Sequence, residues 1–199
     1  SSKLTLSNGI KIDFEVHETL RLKQLQRKLA RTQKGSRNRE RIRVLLRKEY
    51  EKLNHRRKDA QNKVLAFLKI YRKVIFQDDC VKGWTTLFGK QIHSSAVGGL
   101  KSRLRTSLET PVAVKKRETA TSECFACGKK QNLSLSDRII DCGWKCDRDV
   151  NAALVILRKG LGLSPNQAVG LDRSELKPLQ KAAARILGSN PYIRVSFPQ

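Results

Sequence analysis

The sequence has 199 residues and carries 42 lysines and arginines against 18 aspartates and glutamates, a formal net charge of +24. Such a charge repels itself in a folded chain and is usually balanced by a polyanion, so we expect nucleic acid as the partner. No stretch approaches the roughly 20 apolar residues of a membrane span, and the N-terminus lacks the apolar segment of a signal peptide. From these features we expect a soluble, cytoplasmic protein.

Residues 1–16 carry the pattern of a β-hairpin. Apolar residues alternate on both sides of Asn8-Gly9, a pair that favours the positive φ angles of a type I′ turn. Because two strands alone are marginally stable, we expect further strands, upstream of the hairpin or later in the chain, to complete the sheet.

Residues 17–73 repeat apolar side chains with the period of a helix, interrupted at Lys34-Gly35-Ser36. Ser36 is a suitable N-cap for a second helix. The pattern therefore predicts two helices joined by a short turn, which form an antiparallel hairpin.

The predicted helical hairpin is strongly basic. From Glu18 to Lys73 there are twenty lysines and arginines against five acidic residues. A solvated helix face normally mixes both signs, so we interpret this excess as a surface that follows a phosphate backbone. The predicted contacts are Arg27, Lys28, Arg31, Lys34, Arg37, Arg39, Arg41, Arg43, Arg56, Arg57 and Lys58.

The rest of the chain alternates strand and helix patterns. In residues 74–118 we predict a strand at 74–76, a helix near 97–108 and a strand at 111–114, and in residues 147–159 a buried helix. Residues 160–199 contain glycine and proline breakers and one helical stretch at 176–187. We expect this tail to be loosely packed or to depend on a partner.

Four of the five cysteines fall within residues 119–146 and have the layout of a zinc ribbon. Two intervening residues separate the first pair, fourteen follow, and three separate the second pair. Each pair on a tight turn can present two thiolates to one ion, and a tetrahedral site of four thiolates has no open position, so its role is structural. Glycines follow a cysteine in each half, at Gly128 and Gly143. The predicted zinc ligands are Cys124, Cys127, Cys142 and Cys146.

The segment after the ribbon, Asp147-Arg148-Asp149-Val150-Asn151-Ala152-Ala153, resembles the closing motif of TnpB proteins. These are the OrfB "transposases" of insertion sequences, which are related to the type V CRISPR effector nucleases. Leu135-Ser136-Asp137-Arg138, Val81-Lys82-Gly83 and Gln33-Lys34-Gly35-Ser36-Arg37-Asn38 also resemble stretches of that family. The resemblance extends from Leu4 to Leu157.

This resemblance implies an RNA-guided protein whose partners are a guide RNA and a target DNA. It also implies a RuvC domain, an RNase H-like α/β fold that is only partial in this chain, with a long basic helical hairpin and an inserted ribbon. In the family, three carboxylates hold two divalent ions, usually Mg²⁺, that stabilise the attacking and leaving oxygens. Arg148 would orient Asp149 or contact a phosphate.

Two departures from the family pattern indicate a nuclease centre that is incomplete. The first aspartate of the family precedes the opening hairpin, upstream of this chain's first residue. The position of the central glutamate holds Gln77, whose neutral amide is a poor ligand for a hard divalent cation. Asp149 corresponds to the third acid. Asp78 or Asp79 would replace the glutamate only through a shift in register, and strand alternation turns Asp78 to the opposite face.

The ribbon also departs from the family, because Cys146 directly precedes Asp147. Alignment from Leu135 makes Cys142 the third ligand, whereas alignment from Asp147 makes it the fourth and puts Ile139 in third place. We expect both Cys142 and Cys146 to bind the metal.

Three functions remain open from the sequence. The first is a nuclease-deficient protein that binds guide RNA and DNA. The second is an Mg²⁺-dependent RNA-guided endonuclease whose chain has been truncated or whose glutamate has been replaced by design. The third is a general basic RNA-binding protein with a zinc ribbon. Among other residues, Trp84 and Trp144 could stack on bases or pack in the core, and Cys80 is expected to be a small buried hydrophobe.

Overall fold

The computed structural model describes residues 3–78, 86, 89, 97–109, 111–115, 122–134, 136–142, 145–168 and 176–198. The helices are α1 (Leu20–Arg31), α2 (Arg37–Leu68), α3 (Val97–Ser107), α4 (Arg148–Leu161), α5 (Pro165–Ala168) and α6 (Leu176–Leu187). The strands are β1 (Leu4–Thr5), β2 (Lys11–Phe14), β3 (Val74–Asp78), β4 (Pro111–Lys115), β5 (Ile139–Ile140), β6 (Cys146–Asp147) and β7 (Ile193–Ser196). The fold is therefore mixed α/β, as expected at that level. The predictions for Asp79, Cys80, Trp84, Gly143 and Trp144 concern positions outside this description.

The opening hairpin forms as predicted, but its turn is of another kind. β1 and β2 pair antiparallel, with Leu4 opposite Ile12. The N–H of Gly9 donates to the carbonyl of Leu6 at 3.0 Å, and the N–H of Leu6 donates to the carbonyl of Ile10 at 2.9 Å. The loop thus has three residues rather than the two of a type I′ turn. Gly9 takes the left-handed conformation at φ 86°, which closes such a loop without a steric cost.

The strand that completes this sheet comes from the C-terminal segment. β7 pairs antiparallel with the free side of β2, and Phe14 lies opposite Ile193. Ala183 and Leu187 of α6 are fully buried, and the amide of Asn190 donates to Asp59 of α2 at 2.7 Å. The expectation of a loosely packed tail is therefore wrong for residues 179–198, because this segment supplies an edge strand and part of the main core.

The two basic helices form the predicted antiparallel hairpin. Thr19 caps α1 by accepting from the N–H of Leu22 at 3.2 Å, and Ser36 caps α2 by accepting from the N–H of Arg39 at 3.2 Å. α2 has 32 residues, which corresponds to a length of about 48 Å at 1.5 Å per residue. In the first half of α2 the buried residue is Ile42, and the other buried residues of the helix lie between Leu53 and Leu68. The N-terminal half of α2 and the turn thus present mainly polar and charged side chains to solvent.

The main core lies where the opening sheet meets three helices. It joins β2 and β7 with the C-terminal half of α2, with α3 and with α6. Its fully buried large side chains include Ile12, Phe14 and Phe67. The aromatic ring of Phe67 meets Tyr71 edge to face at 5.7 Å, and the Tyr71 hydroxyl accepts from the Asn8 amide at 2.8 Å. The hairpin loop is therefore attached to the end of α2.

A second sheet, formed by β3 and β4, carries α4 on its surface. The two strands are parallel, with Ile75 opposite Val112 and Gln77 opposite Val114. Gly160 allows the helix to approach closely, because a Cβ atom there would lie 2.3 Å from the Cγ2 of Ile75. The sequence predicted both strands and the helix, and this packing brings them together.

Candidate metal centre and nucleic-acid interface

Three of the four predicted thiolate ligands lie together. The sulfurs of Cys124, Cys127 and Cys142 lie within 4.8 Å of one another. The Cys127 and Cys142 sulfurs are 3.6 Å apart, and those of Cys142 and Cys124 are 2.8 Å apart. Thiolates bound tetrahedrally at about 2.3 Å from zinc stand roughly 3.8 Å apart. The first distance fits this geometry and the second requires a shift of about 1 Å, so the cluster could bind a metal ion such as zinc.

The backbone of the first knuckle holds Cys124 in place. The N–H of Cys124 donates to the carbonyl of Lys129 and the N–H of Gly128 donates to the carbonyl of Cys124, both at 2.9 Å. Gly128 has φ 75°, the left-handed conformation that the predicted tight turn requires. The knuckle is therefore ordered by main-chain hydrogen bonds that position the Cys124 side chain.

The electrostatic surroundings of Cys127 favour a thiolate. The hydrogen bond from the backbone N–H of Lys129 holds the pKa of Cys127 below its usual range. Burial raises this pKa, but hydrogen bonds from the thiols of Cys142 and Cys124 and the positive charge of Lys129 lower it further. The deprotonated sulfur is the form that binds zinc. The ionisation of Cys127 and the spacing of the three sulfurs thus both favour metal binding.

Cys146 is not one of these three clustered residues. It lies on β6, where it pairs with Ile140 of β5. Ile139, the alternative occupant of the third ligand position, is 61% exposed and carries no donor atom. Binding of a metal by Cys142 and Cys146 together remains a prediction.

The first turn of α4 contains Asp149, which the resemblance predicted as the third acid. Asp147 caps the helix by accepting from the N–H groups of Asp149 at 3.0 Å and Val150 at 3.2 Å. Lys11 of β2 donates to the other Asp147 oxygen at 2.8 Å. The Asp149 side chain is half-buried in this turn. Asp147 therefore has a structural role, and metal binding by Asp149 remains a prediction.

Gln77 lines a cavity between the two sheets. The cavity has a volume of about 330 Å³ and is bordered by Leu4 of β1, Gln77 of β3 and Ala153 of α4. Ala153 lies one helical turn after Asp149, and residues four apart share a helix face. The amide of Gln77 and the Asp149 face of α4 therefore border the same region of the molecule.

The carboxylate next to Gln77 is already paired. Asp78 accepts hydrogen bonds from Arg105 and, at 3.3 Å, from Lys101. The hydrogen bond from Lys101, together with the positive charge of Arg105, holds the pKa of Asp78 below its usual range. Lys101 and Arg105 thus already bind the Asp78 carboxylate, which a shift in strand register would have put in place of the glutamate. Among the described residues, the group of three or more His, Cys, Asp or Glu side chains that lie close enough together to hold one ion is the cysteine cluster.

Most of the predicted nucleic-acid contacts are accessible. Their exposed side chains lie mainly along the helical hairpin and around its turn. The exposed members of the set are Arg27, Lys28, Arg31, Lys34, Arg37, Arg41, Arg43 and Lys58, and the half-buried ones are Arg39, Arg56, Arg57 and Arg148.

Three of the half-buried arginines contact the protein itself. The guanidinium of Arg39 donates to the carbonyls of Leu29 and Thr32, each at 2.7 Å, and so ties α1 to α2. Arg56 lies 5.9 Å from the centre of the Tyr192 ring. Arg148 donates to the carbonyl of Ser134 at 2.6 Å, which links α4 to the ribbon. These three arginines therefore stabilise the fold. The prediction of a nucleic-acid interface rests on the eight exposed lysines and arginines.

A buried polar network between the ribbon and α4 was not predicted from the sequence. It joins Arg158 and Asn151, which are 4% and 0% exposed, to Glu123, which is 9% exposed. The available signal was the position of Arg158 seven residues after Asn151, on the same side of a helix whose intervening residues are all apolar.

The ion pair between Asp147 and Lys11 predicts a dependence of stability on pH. Burial pushes the pKa of Asp147 upward, but the hydrogen bonds from Lys11 and from the backbone N–H groups outweigh it and leave the pKa lowered. The pair therefore contributes stability above the unfolded pKa of about 3.9 and loses it as the pH falls through the lower folded value. We expect Lys11→Gln to cost less than about 1 kcal/mol at pH 6 to 7, because the Asp147 side chain is 41% exposed.

Urea unfolding at a series of pH values, with chelator present, measures this effect. The difference between wild type and Lys11→Gln should shrink as the pH falls below about 4 and should disappear once Asp147 is protonated in the folded state as well. A difference that does not shrink as the pH falls would contradict the assignment to the ionised Asp147.

Comparison with known proteins gives one informative similarity. The chain is 31% identical over 179 residues to a protein of Streptomyces pristinaespiralis named "Putative RNA-guided DNA endonuclease". The matched region is 82% of this chain and 44% of that protein. This chain is its distant homologue. It spans less than half of the length of that relative, and no model of a known protein family matches it.

The residues that the structure describes contain no helix that is both long and apolar enough to cross a membrane.

Proposed function

We propose that this chain is part of an RNA-guided DNA-binding protein of the TnpB-like class, with a RuvC-like core and a structural zinc ribbon. The similarity to a protein named as an RNA-guided DNA endonuclease carries this proposal. The exposed cations of α1 and α2 support it, because a long basic hairpin can follow the backbone of a nucleic-acid duplex. In this function the protein acts in the prokaryotic cytoplasm, in association with the nucleoid.

We further propose that this chain binds target DNA without cutting it. Gln77 stands where the TnpB-like pattern has a glutamate, and Asp78 beside it is paired with Lys101 and Arg105. Two-metal hydrolysis requires carboxylates that hold both ions. Of the three acids in that pattern, this sequence matches only the third, with Asp149.

The test is to sequence the RNA that copurifies with the protein and to assay cleavage in Mg²⁺ of DNA that matches the recovered guide. A defined RNA with guided DNA binding and no cleavage supports the proposal. Metal-dependent cutting would mean that the centre is complete and that the protein is an endonuclease. RNA of heterogeneous sequence with no guided DNA binding would favour a general basic RNA-binding protein.

The exposed cations at the hairpin turn allow a quantitative prediction. Arg37 and Arg41 lie one turn apart on α2, and both are exposed. Replacing both with alanine keeps the helix propensity and removes two phosphate contacts. The slope of log K against log salt concentration should therefore decrease by about 1.4 for single-stranded nucleic acid and about 1.8 for a duplex.

Fluorescence anisotropy over a range of salt concentrations measures this slope. Arg185→Ala with Arg194→Ala is a matched control, because it removes two exposed cations outside the hairpin. Equal slopes for the wild type and the hairpin variant would exclude this part of α2 from the interface.

A further inference from the structure

The first knuckle of the ribbon is attached to α4 through the peptide groups on both sides of Cys124. The Asn151 amide donates to the carbonyl of Glu123 at 2.7 Å, and its oxygen accepts from the N–H of Phe125 at 2.9 Å. Asn151 is completely buried. One side chain of α4 thus holds the backbone immediately before and immediately after a candidate metal ligand.

A second attachment lies two helical turns farther along α4. The guanidinium of Arg158 donates to the carbonyl of Phe125 at 2.9 Å and to the carboxylate of Glu123. Lys159 binds the other oxygen of that carboxylate at 2.8 Å. Arg158 is only 4% exposed, so its positive charge is compensated by the carboxylate of Glu123 instead of by solvent. Removal of a partner would leave a buried polar group unpaired, which is costly.

Apolar packing completes the contact between the knuckle and the helix. Phe125 is 4% exposed and forms one buried cluster with Ala152, Leu154 and Val155 of α4. The same helix packs on β3 through Gly160, and it lines the cavity that contains Gln77. α4 therefore lies between the thiol cluster and the β3–β4 sheet, with specific contacts to both.

We propose that Asn151 is a positioning residue that couples metal binding in the ribbon to the order of α4. A metal ion that fixes Cys124 also fixes the peptide groups of Glu123 and Phe125, to which Asn151 binds. By linkage, ordering of α4 favours metal binding and metal binding favours ordering of α4 to the same extent. Asp149 lies two residues before Asn151, so metal binding in the ribbon also stabilises the position of that carboxylate. The proposal depends on metal binding by the thiols and not on RNA-guided activity.

The experiment compares wild type, Asn151→Ala and the control Asn132→Ala, which removes an exposed amide from the same ribbon. Zinc affinity is measured by competition with a chromophoric chelator. Hydrogen exchange of peptides from α4 and from the ribbon is measured with and without zinc. Both measurements are made without nucleic acid, so their outcome is independent of the proposed function.

Asn151→Ala should weaken zinc binding by about 10- to 100-fold, as expected for loss of a residue that orients a ligand. Zinc should slow exchange in α4 of the wild type and of Asn132→Ala, but in Asn151→Ala it should protect the ribbon alone. A purely structural Asn151 would instead give faster exchange in α4 to the same extent with and without zinc. That result, or unchanged zinc affinity, would overturn the proposal.

Asn151→Asp is a second variant that keeps the size of the side chain and the oxygen that accepts from the N–H of Phe125, but it removes the amide that donates to the carbonyl of Glu123. It keeps the proposal testable if Asn151→Ala does not fold. We expect an intermediate loss of zinc affinity and partial zinc-dependent protection of α4. Wild-type values for both measurements would contradict the coupling.

Discussion

Cys124→Ser is expected to lower the zinc affinity of the chain by more than about 100-fold, beyond the range found for residues that only orient a ligand. The Cys124 sulfur is completely buried and lies 2.8 Å from that of Cys142. Serine has nearly the same shape, but its hydroxyl is not deprotonated at neutral pH and does not replace a thiolate. Because metal binding contributes directly to the folding of such sites, the knuckle should also lose order.

Metal content after dialysis and competition with a chelator measure this effect. Cys80→Ser is the matched control, since that cysteine lies apart from the ribbon in the sequence, and it should retain the zinc affinity of the wild type. Cys146→Ser tests the fourth ligand: a loss similar to that of Cys124→Ser would establish Cys146 in the site, whereas wild-type affinity would exclude it. Zinc binding by Cys124→Ser with wild-type affinity would show that the cluster is not the metal centre.

Leu187→Ala is expected to destabilise the protein by about 2–5 kcal/mol, the range for truncation of a buried leucine. Leu187 is fully buried at the end of α6 and belongs to the main core together with Ile12 and Phe67. Its truncation would leave a cavity at the point where the C-terminal segment meets α2. A loosely packed tail would instead tolerate this change with little effect.

Chemical unfolding tests this prediction by comparing the free energies of unfolding of Leu187→Ala and Leu20→Ala. Leu20 is 79% exposed, so the same truncation there should change the free energy of unfolding by no more than about 0.5 kcal/mol. Equal effects of the two substitutions would mean that α6 does not contribute to the folded core in solution.

Local sequence patterns were sufficient to predict those elements that are stabilised by interactions between residues close in sequence. The apolar period and Ser36 predicted α1 and α2, since a helix is stabilised by contacts three and four residues apart and by its own cap. The spacing of Cys124, Cys127 and Cys142 predicted a cluster, because two residues between cysteines form one knuckle. The resemblance to TnpB proteins agreed with the similarity to a protein named as an RNA-guided DNA endonuclease.

The sequence predicted that a further strand would complete the opening sheet, but not which segment supplies it. β7 pairs with β2 although Ile193 and Phe14 lie at opposite ends of the chain, and the pattern of either strand alone does not specify its partner. The sequence also shows no difference between Arg39, whose guanidinium joins two helices, and its exposed neighbour Arg41.

The sequence by itself determined the basic character of the chain, its helices and the cysteine spacing, because each of these is set by composition or by contacts within a few residues. The tertiary structure decided which cations remain available to a phosphate backbone, how the C-terminal segment completes the core, and that Asn151 and Arg158 hold the knuckle. The first depends on the burial of each side chain. The other two depend on hydrogen bonds between residues 26 or more positions apart, and side-chain partners at such separations are fixed only when the chain folds.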